Sequence, residues 1–269
     1  MVARHDLVTD EKVRGELLTA RRGTAFFARK LGELSYADMD EPSLLPGWSR
    51  RHLIAHVGYN ARAISRLVEW AASGVETPMY PDTAYRNREI EFGATLQPIA
   101  LLNLFDHSAV HLSVEWRDLP DEKWVAEVRT AQGRTVPASE TVWMRTREVW
   151  LHAIDLDNGA RFTDVPVEVL RRLLPEIAGA WAKRGEAFTP TVTDGSDAGA
   201  DAGSAGAGSA GSGSADGGRV GVIDDPAGVE VRGSLADLVR WASGRVPAGE
   251  ESGVTLADGS PAAAAPRWL

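Results

Sequence analysis

The sequence has no cysteine among its 269 residues. Disulfides, thiolate metal ligands and a cysteine nucleophile are therefore excluded, so any metal needs His, Asp or Glu ligands and any thiol chemistry needs an external thiol. Apolar runs are short, and none approaches the roughly 20 residues that span a bilayer. The N-terminal stretch MVARHDLVTDEKVR also lacks the apolar core of a signal peptide. We therefore expect a cytoplasmic protein with no membrane partner.

Positive charge is in the minority, with a formal net charge of −9. An acidic surface of this kind argues against nucleic acid and anionic membranes as partners. Hydrophobic residues (43%) and charged residues (25%) occur in proportions that are ordinary for a globular protein. The length allows one large domain or two ordinary ones.

The first 160 residues predict a helical bundle. Apolar residues recur at helical spacing over about 10–32, 50–73, 89–117 and 139–157. Ser49 is a suitable N-cap for the second of these helices, and Gly74 a suitable end. The Pro-rich stretch 75–88 is expected to be a connection. Because each helix can bury one apolar face, the pattern predicts a four-helix bundle.

The pattern changes after residue 160. A helix, VPVEVLRRLLPEIAGAWAKRG, precedes short β-type runs, EAFTPTV, RVGVID, GVEVRG and GVTLA, and SLADLVRWASG is a further helix. We therefore expect an α+β chain with domains at 1–160 and 161–269. Residues 194–218 are rich in Gly, Ala and Ser and lack the apolar surface that would offset chain entropy. They are expected to form a disordered insertion between two strands.

The helix predicted over 139–157 carries a line of polar residues on an otherwise apolar surface. These residues, called the polar seam below, are Thr141, Arg145, Glu148, His152 and Asp155. Because buried polar groups are costly without partners, the seam needs either a hydrogen-bond network or a metal ion. Glu148 and His152 are four residues apart, so they share a helix face and can hold one ion.

The six histidines differ in their helical positions. His56 lies at the buried edge of the second helix, whereas His52 lies further toward solvent. His107 and His111 fall on the polar face of the third helix, where a solvated surface is the ordinary explanation.

His56, Glu148 and His152 therefore form the best candidate metal site. Three protein ligands with one open position are typical of catalytic zinc sites. The residues alone leave an alternative open, in which a buried histidine is hydrogen-bonded to Glu148 and Arg145 without a metal.

Several stretches have a more specific composition than a generic bundle. They are LLPGWSRRHLIAHVGYNARAI, TPMY with RNREIEFG, TAQGRTVPASETVWMRTREVWLHAIDL, VRGSLADLVRWASGR and the final PRWL. Together they resemble the mycothiol-dependent maleylpyruvate isomerases, which belong to the DinB-like superfamily of metal-binding four-helix bundles. The resemblance covers nearly the whole chain and fails only in the insertion. It implies a DinB-like N-terminal bundle and a small C-terminal α/β domain similar to sterol-carrier proteins.

The resemblance also implies a divalent metal, zinc, and mycothiol as thiol cofactor. The metal ligands of the family fall on His56, Glu148 and His152. A substrate-binding arginine of the family falls on Arg86, and a second falls on Arg245 or, in an alternative alignment, on Arg240. Guanidinium groups suit carboxylates, although a single arginine of this kind is more often a solvated charge. No residue is assigned to mycothiol binding.

The implied reaction is the cis–trans isomerisation of maleylpyruvate to fumarylpyruvate in gentisate degradation. Separately, we expect the protein to be a monomer. A thiolate that adds to the conjugated alkene leaves a single bond, which can rotate before the thiol departs. One rival function is a mycothiol S-transferase acting on electrophilic small molecules, which an apolar pocket mouth would favour. Another is a metal-sensing or lipid-binding module, which a closed site with four protein ligands would favour.

Overall fold

The apolar stripes of the first half of the chain form helices that pack side by side. The computed structural model describes residues 5–186, 188–194 and 228–268. The chain divides into two compact units, Met1–Ala160 and Arg161–Leu269. The α-helices of the first unit are α1 (Glu11–Gly32), α2 (Arg50–Ser73), α3 (Thr83–Ala94), α4 (Pro98–Asp118) and α5 (Glu140–Asp155). Helix α1 packs on α5, and α2 packs on α3, α4 and α5.

Helix α2 lies against three other helices and is buried along most of its length. The predicted bounds of this helix are confirmed: Ser49 is its N-cap and Gly74, with φ of 76°, its C-cap. The backbone N–H of Gly74 donates to the carbonyl of Trp70 over 2.7 Å. Leu53 and Leu67 are fully buried, and burying one such side chain contributes roughly 1.5–3 kcal/mol to folding. The side chains of α2 are therefore held in fixed positions by the helices that pack around it.

The prediction of one helix over 89–117 is wrong. The structure has two helices, α3 and α4, with a break at residues 95–97. Pro98 is at the first position of α4, and Gln97 before it has an extended conformation (ψ 145°), because proline has no N–H and disfavours helix in the preceding residue. The side chain of Asp82 caps α3 by accepting from Tyr85 N over 2.6 Å. Arg86 therefore lies on a helix and not in the predicted connection.

A short hairpin leads into α5. Strands β1 (Glu127–Arg129) and β2 (Thr135–Pro137) pair antiparallel, and Gly133 takes φ of 79° in the turn between them. The polar seam of α5 is buried as expected: Thr141, Arg145 and Asp155 are each at most 1% exposed. The N-terminal unit thus surrounds a line of polar side chains.

The second unit combines helices with a small sheet, and the predicted α+β class is confirmed. Its elements are α6 (Val167–Ala182), β3 (Phe188–Val192), β4 (Val229–Gly233), α7 (Leu235–Ala242) and β5 (Thr255–Leu256). Strand β4 is central, parallel to β3 and antiparallel to β5. The rings of Trp181, Phe188 and Trp241 lie 5.5 Å from one another and form part of the core.

Two sequence predictions lie outside the described residues. They are the strand RVGVID and, apart from Asp194, the insertion at 194–218. Among the residues that are described, no helix is long and apolar enough to cross a bilayer.

Candidate metal centre

Helices α2 and α5 bring the three predicted ligand residues together. Nε2 of His56 lies 2.8 Å from Oε2 of Glu148 and 3.1 Å from Nε2 of His152. Nε2 of His152 lies 3.1 Å from the same Glu148 oxygen. These three atoms, the ligand triangle, are two imidazole nitrogens and one carboxylate oxygen, which is a donor set that zinc prefers.

The size of the triangle suits a small divalent cation. Ligand atoms 2.0–2.2 Å from a tetrahedral zinc are about 3.3–3.6 Å apart. The observed separations of 2.8 and 3.1 Å need to open by only a few tenths of an ångström. Among the described residues, His56, Glu148 and His152 can all direct one ligand atom to a common point.

Burial and hydrogen bonding set the charges of the triangle. Burial lowers the pKa of His56, although the neighbouring Glu148 acts against this effect. Burial alone would raise the pKa of Glu148, but hydrogen bonds with His152 and His56 outweigh it and hold that pKa well below its usual range. A carboxylate and a neutral imidazole are the forms in which these groups bind metals.

His152 is oriented by a second buried carboxylate. Its Nδ1 lies 2.8 Å from Oδ2 of Asp155, which is fully buried. Burial opposes protonation of His152, but the hydrogen bonds to Asp155 and Glu148 outweigh it and raise the pKa of His152. Metal-binding histidines commonly donate their other ring N–H to a carboxylate in this way.

Arg145 connects the two helices that carry the ligand triangle. Its Nη1 donates to the carbonyl of Val57 over 2.8 Å and to Oδ1 of Asn60 over 2.9 Å. Burial lowers the pKa of Arg145 to about 10, so the side chain stays protonated at neutral pH. Both of these hydrogen bonds go to α2. Of the metal-free network considered from the sequence, the structure therefore has the contact between a buried histidine and Glu148, while these bonds of Arg145 go to other groups.

Of the two arginines in RNREIEFG, one contacts a residue of the ligand triangle. Nη2 of Arg86 lies 3.3 Å from Nδ1 of His56. Arg88 is exposed, and its guanidinium lies 5.8 Å from the ring centroid of Tyr85. Arg86 is therefore the arginine placed for a ligand bound near His56.

Two aromatic residues near the triangle were not identified from the sequence. The ring centroid of Trp48 lies 5.5 Å from that of His56. Burial raises the pKa of Tyr80 to about 12, and Arg86, Glu148 and Glu89 are among the charges that act on it. The only feature of the sequence that could have pointed to Tyr80 is its place in the TPMY stretch.

The remaining histidines of α2 and α4 lie outside the triangle. Nδ1 of His52 is 2.8 Å from Oγ of Ser49 at the helix N-terminus, and its Nε2 is 3.5 Å from Glu91. Nε2 of His111 is 3.3 Å from Glu115 and 3.8 Å from Glu69. The side chains of this second cluster are 28–48% exposed, as expected for ion pairs on a solvated surface.

The two candidate arginines of the second unit differ in their partners. Arg240 forms an ion pair with Glu250, and its Nη1 donates to the carbonyl of Glu251 over 3.3 Å. Nη1 of Arg245 donates to the carbonyl of Ser243 over 2.7 Å. This unit also has an open cavity of about 730 Å³ whose wall includes Trp241, Val246 and Glu250.

Family models and solved structures are similar to this chain over most of its length. The model of the mycothiol maleylpyruvate isomerase N-terminal domain matches residues 20–157, and the MDMPI C-terminal domain model matches residues 164–267. The crystal structure of the mycothiol-dependent maleylpyruvate isomerase is 43% identical, with a TM-score of 0.79. A histidine-to-alanine mutant of that protein is 42% identical, also with a TM-score of 0.79. Both alignments cover 95% of this chain and 97% of the other. The comparison with curated proteins found no match.

Proposed function

Because the chain belongs to the mycothiol maleylpyruvate isomerase family, we propose that it converts maleylpyruvate to fumarylpyruvate in gentisate degradation, with zinc and mycothiol as cofactors. The observation that carries this proposal is the ligand triangle of His56, Glu148 and His152, with sides of 2.8–3.1 Å. The sequence has no cysteine, so the thiol of the reaction comes from outside the chain.

The ligand triangle fits a zinc ion in its donor atoms, its spacing and its charge. Two neutral imidazoles and one carboxylate leave a bound divalent cation with a net charge of +1, so that an anionic thiolate remains attracted. Zinc bound here would supply an open coordination position and lower the pKa of a thiol. Asp155 holds His152 in the orientation that this role requires, with its Nδ1 proton directed away from the triangle.

Mycothiol supplies the nucleophile, and the chain binds and orients the substrate. Reversible addition of a thiolate to the conjugated double bond of maleylpyruvate leaves a single bond about which the molecule can rotate. Arg86 binds one substrate carboxylate beside the ligand triangle and stabilises the negative charge that develops during the addition.

The chemistry of imidazole supports this role for Arg86. A neutral imidazole has one N–H and one lone pair. When Nε2 of His56 gives its lone pair to a metal, Nδ1 carries the proton and cannot accept from Arg86, which lies 3.3 Å away. The guanidinium is then available to a carboxylate at the same place.

A second arginine is expected for the second carboxylate of the substrate. We assign it to Arg245 in the C-terminal unit. Arg240 is the alternative that the family alignment offers.

Two observations separate this proposal from its rivals. Arg86 next to His56 favours a dicarboxylate over the neutral electrophiles of a mycothiol S-transferase. A metal sensor would need a closed set of four protein ligands, whereas the described residues bring three side chains together here.

An absorbance assay with maleylpyruvate tests the proposal on protein of measured zinc content. We expect turnover with mycothiol and none without it. His56→Ala should lose both zinc and activity, whereas His52→Ala, one turn earlier on the same helix, should keep both. Turnover at the same rate in thiol-free buffer, or stoichiometric zinc in His56→Ala, would overturn the proposal.

A further inference from the structure

We propose that Gly93 is a positioning residue, whose missing side chain lets α3 lie close enough to α2 for Arg86 to reach the ligand triangle. The inference rests on the proposed role of Arg86 in substrate binding. It adds a residue that touches neither substrate nor metal but determines where the substrate-binding guanidinium stands.

Helix α3 lies very close to α2 at Gly93. A Cβ atom at this position would lie 2.6 Å from Cβ of Ala55 and 2.8 Å from Cε2 of Tyr59. Carbon atoms in contact are normally 3.5–4.0 Å apart, so the two helices would have to separate by about 1 Å. Ala55 is fully buried and Tyr59 is 7% exposed, so neither has much room to move.

The contact lies at the residue next to a candidate metal ligand. Ala55 directly precedes His56 in α2, and any change in the spacing of α2 and α3 at this level acts on the surroundings of His56. Arg86 is seven residues before Gly93, which is close to two helical turns, so the two residues share the same face of α3. Buried Ile90 lies between them on this face.

The contact between Arg86 and His56 leaves little tolerance for such a movement. Nη2 of Arg86 lies only 3.3 Å from Nδ1 of His56, so the position of α3 sets how near the guanidinium stands to a ligand bound there. A shift of α3 by about 1 Å moves the guanidinium out of reach of a ligand beside His56, and misplacements of this size can reduce catalytic rates about 100-fold.

Another helical glycine, Gly15, provides a matched control. Gly15 in α1 has no atom within 4 Å of where a Cβ would stand. Gly15→Ala therefore adds a methyl group without a contact, and alanine favours the helical conformation more than glycine does. Any effect of Gly93→Ala that Gly15→Ala lacks comes from the packing of α3 on α2.

The experiment compares Gly93→Ala with Gly15→Ala in zinc-loaded full-length protein. We expect Gly93→Ala to raise the KM for maleylpyruvate by about tenfold or more, with zinc content and the KM for mycothiol within twofold of the parent. Calorimetry with maleate, a cis-dicarboxylate, should show a similar loss of affinity without any turnover. Gly15→Ala should change none of these quantities.

A second variant separates positioning from a general loss of folding. Ala55→Gly removes the nearer of the two side-chain atoms that a new Cβ would meet, and Cε2 of Tyr59 remains at 2.8 Å. The double variant Ala55→Gly/Gly93→Ala should therefore recover part of the affinity for maleate. The inference is overturned if folded Gly93→Ala binds maleate as the parent does, or if the double variant recovers none of the lost affinity. If Arg86→Lys raises the KM while Gly93→Ala does not, only this inference fails. If Arg86→Lys leaves the KM unchanged, the proposed role of Arg86 fails with it.

Discussion

Nδ1 of His152 lies 2.8 Å from Oδ2 of Asp155, three residues further along the same helix. A carboxylate only accepts hydrogen bonds, so His152 carries a proton on Nδ1, and its Nε2, which faces Glu148 and His56, is the nitrogen that would bind a metal. The orientation of one candidate metal ligand thus depends on a fully buried residue outside the ligand triangle.

Asp155→Asn is expected to weaken zinc binding by about 10- to 100-fold, because the amide keeps the shape but loses the charge that orients the imidazole. Competition with a chromophoric chelator measures this affinity. Asp157→Asn is the control, since Asp157 is exposed and its φ of 50° is one that asparagine tolerates. An unchanged zinc affinity in Asp155→Asn would show that Asp155 does not support the ligand.

Glu148→Gln is expected to abolish stoichiometric zinc binding, because the triangle loses its only negative charge and a strong oxygen donor. Elemental analysis of the purified variant measures the zinc content. Glu115→Gln provides the comparison: Glu115 lies 3.3 Å from His111 in the second His/Glu cluster and should not affect zinc content. If Glu115→Gln lost zinc and Glu148→Gln kept it, the metal would bind in the second cluster and not in the ligand triangle.

Zinc should stabilise the parent protein against heat, because a ligand that binds only the folded state shifts the unfolding equilibrium. At a free zinc concentration 1,000 times the Kd, the stabilisation is about 4 kcal/mol, or roughly 10 °C in Tm for a chain of this size. Thermal unfolding with zinc and with a chelator measures the shift. His52→Ala should show the same shift as the parent, and His56→Ala none. An equal shift in both variants would mean that the stabilising zinc binds elsewhere.

The sequence located the candidate site better than it located the helices around it. Glu148 and His152 are four residues apart on one helix, and helical geometry alone places them on one face. His56 lies on another helix, and its position at the buried edge of an apolar stripe made it the best partner. These relationships depend on local periodicity, which a sequence displays directly.

What the sequence did not reveal depends on packing between distant segments. The predicted helix over 89–117 misses the break before Pro98, and it begins six residues after the observed start of α3 at Thr83, so the prediction assigns Arg86 to a connection. Only the family resemblance singled Arg86 out, since nothing in its neighbours signals contact with His56. The ring of Trp48, 5.5 Å from that of His56, likewise had no periodic signal to separate it from an ordinary core residue.

Arg86→Lys tests whether a planar guanidinium is needed beside His56. Lysine keeps the positive charge but loses the two-pronged geometry that matches a carboxylate, so the KM for maleylpyruvate should rise by roughly tenfold, and Arg86→Gln should raise it further. The KM for mycothiol should change little in either variant. Steady-state kinetics at saturating mycothiol measures these effects.

Arg88 supplies the control for Arg86, because it is two residues away, exposed, and 5.8 Å from the ring of Tyr85. Arg88→Gln removes the same positive charge as Arg86→Gln, so a general electrostatic attraction of the substrate would weaken equally in both variants. A rise in KM confined to Arg86 would mean that a guanidinium at that one point binds the carboxylate. Equal effects in the two variants would mean that the helix attracts the substrate only by its charge.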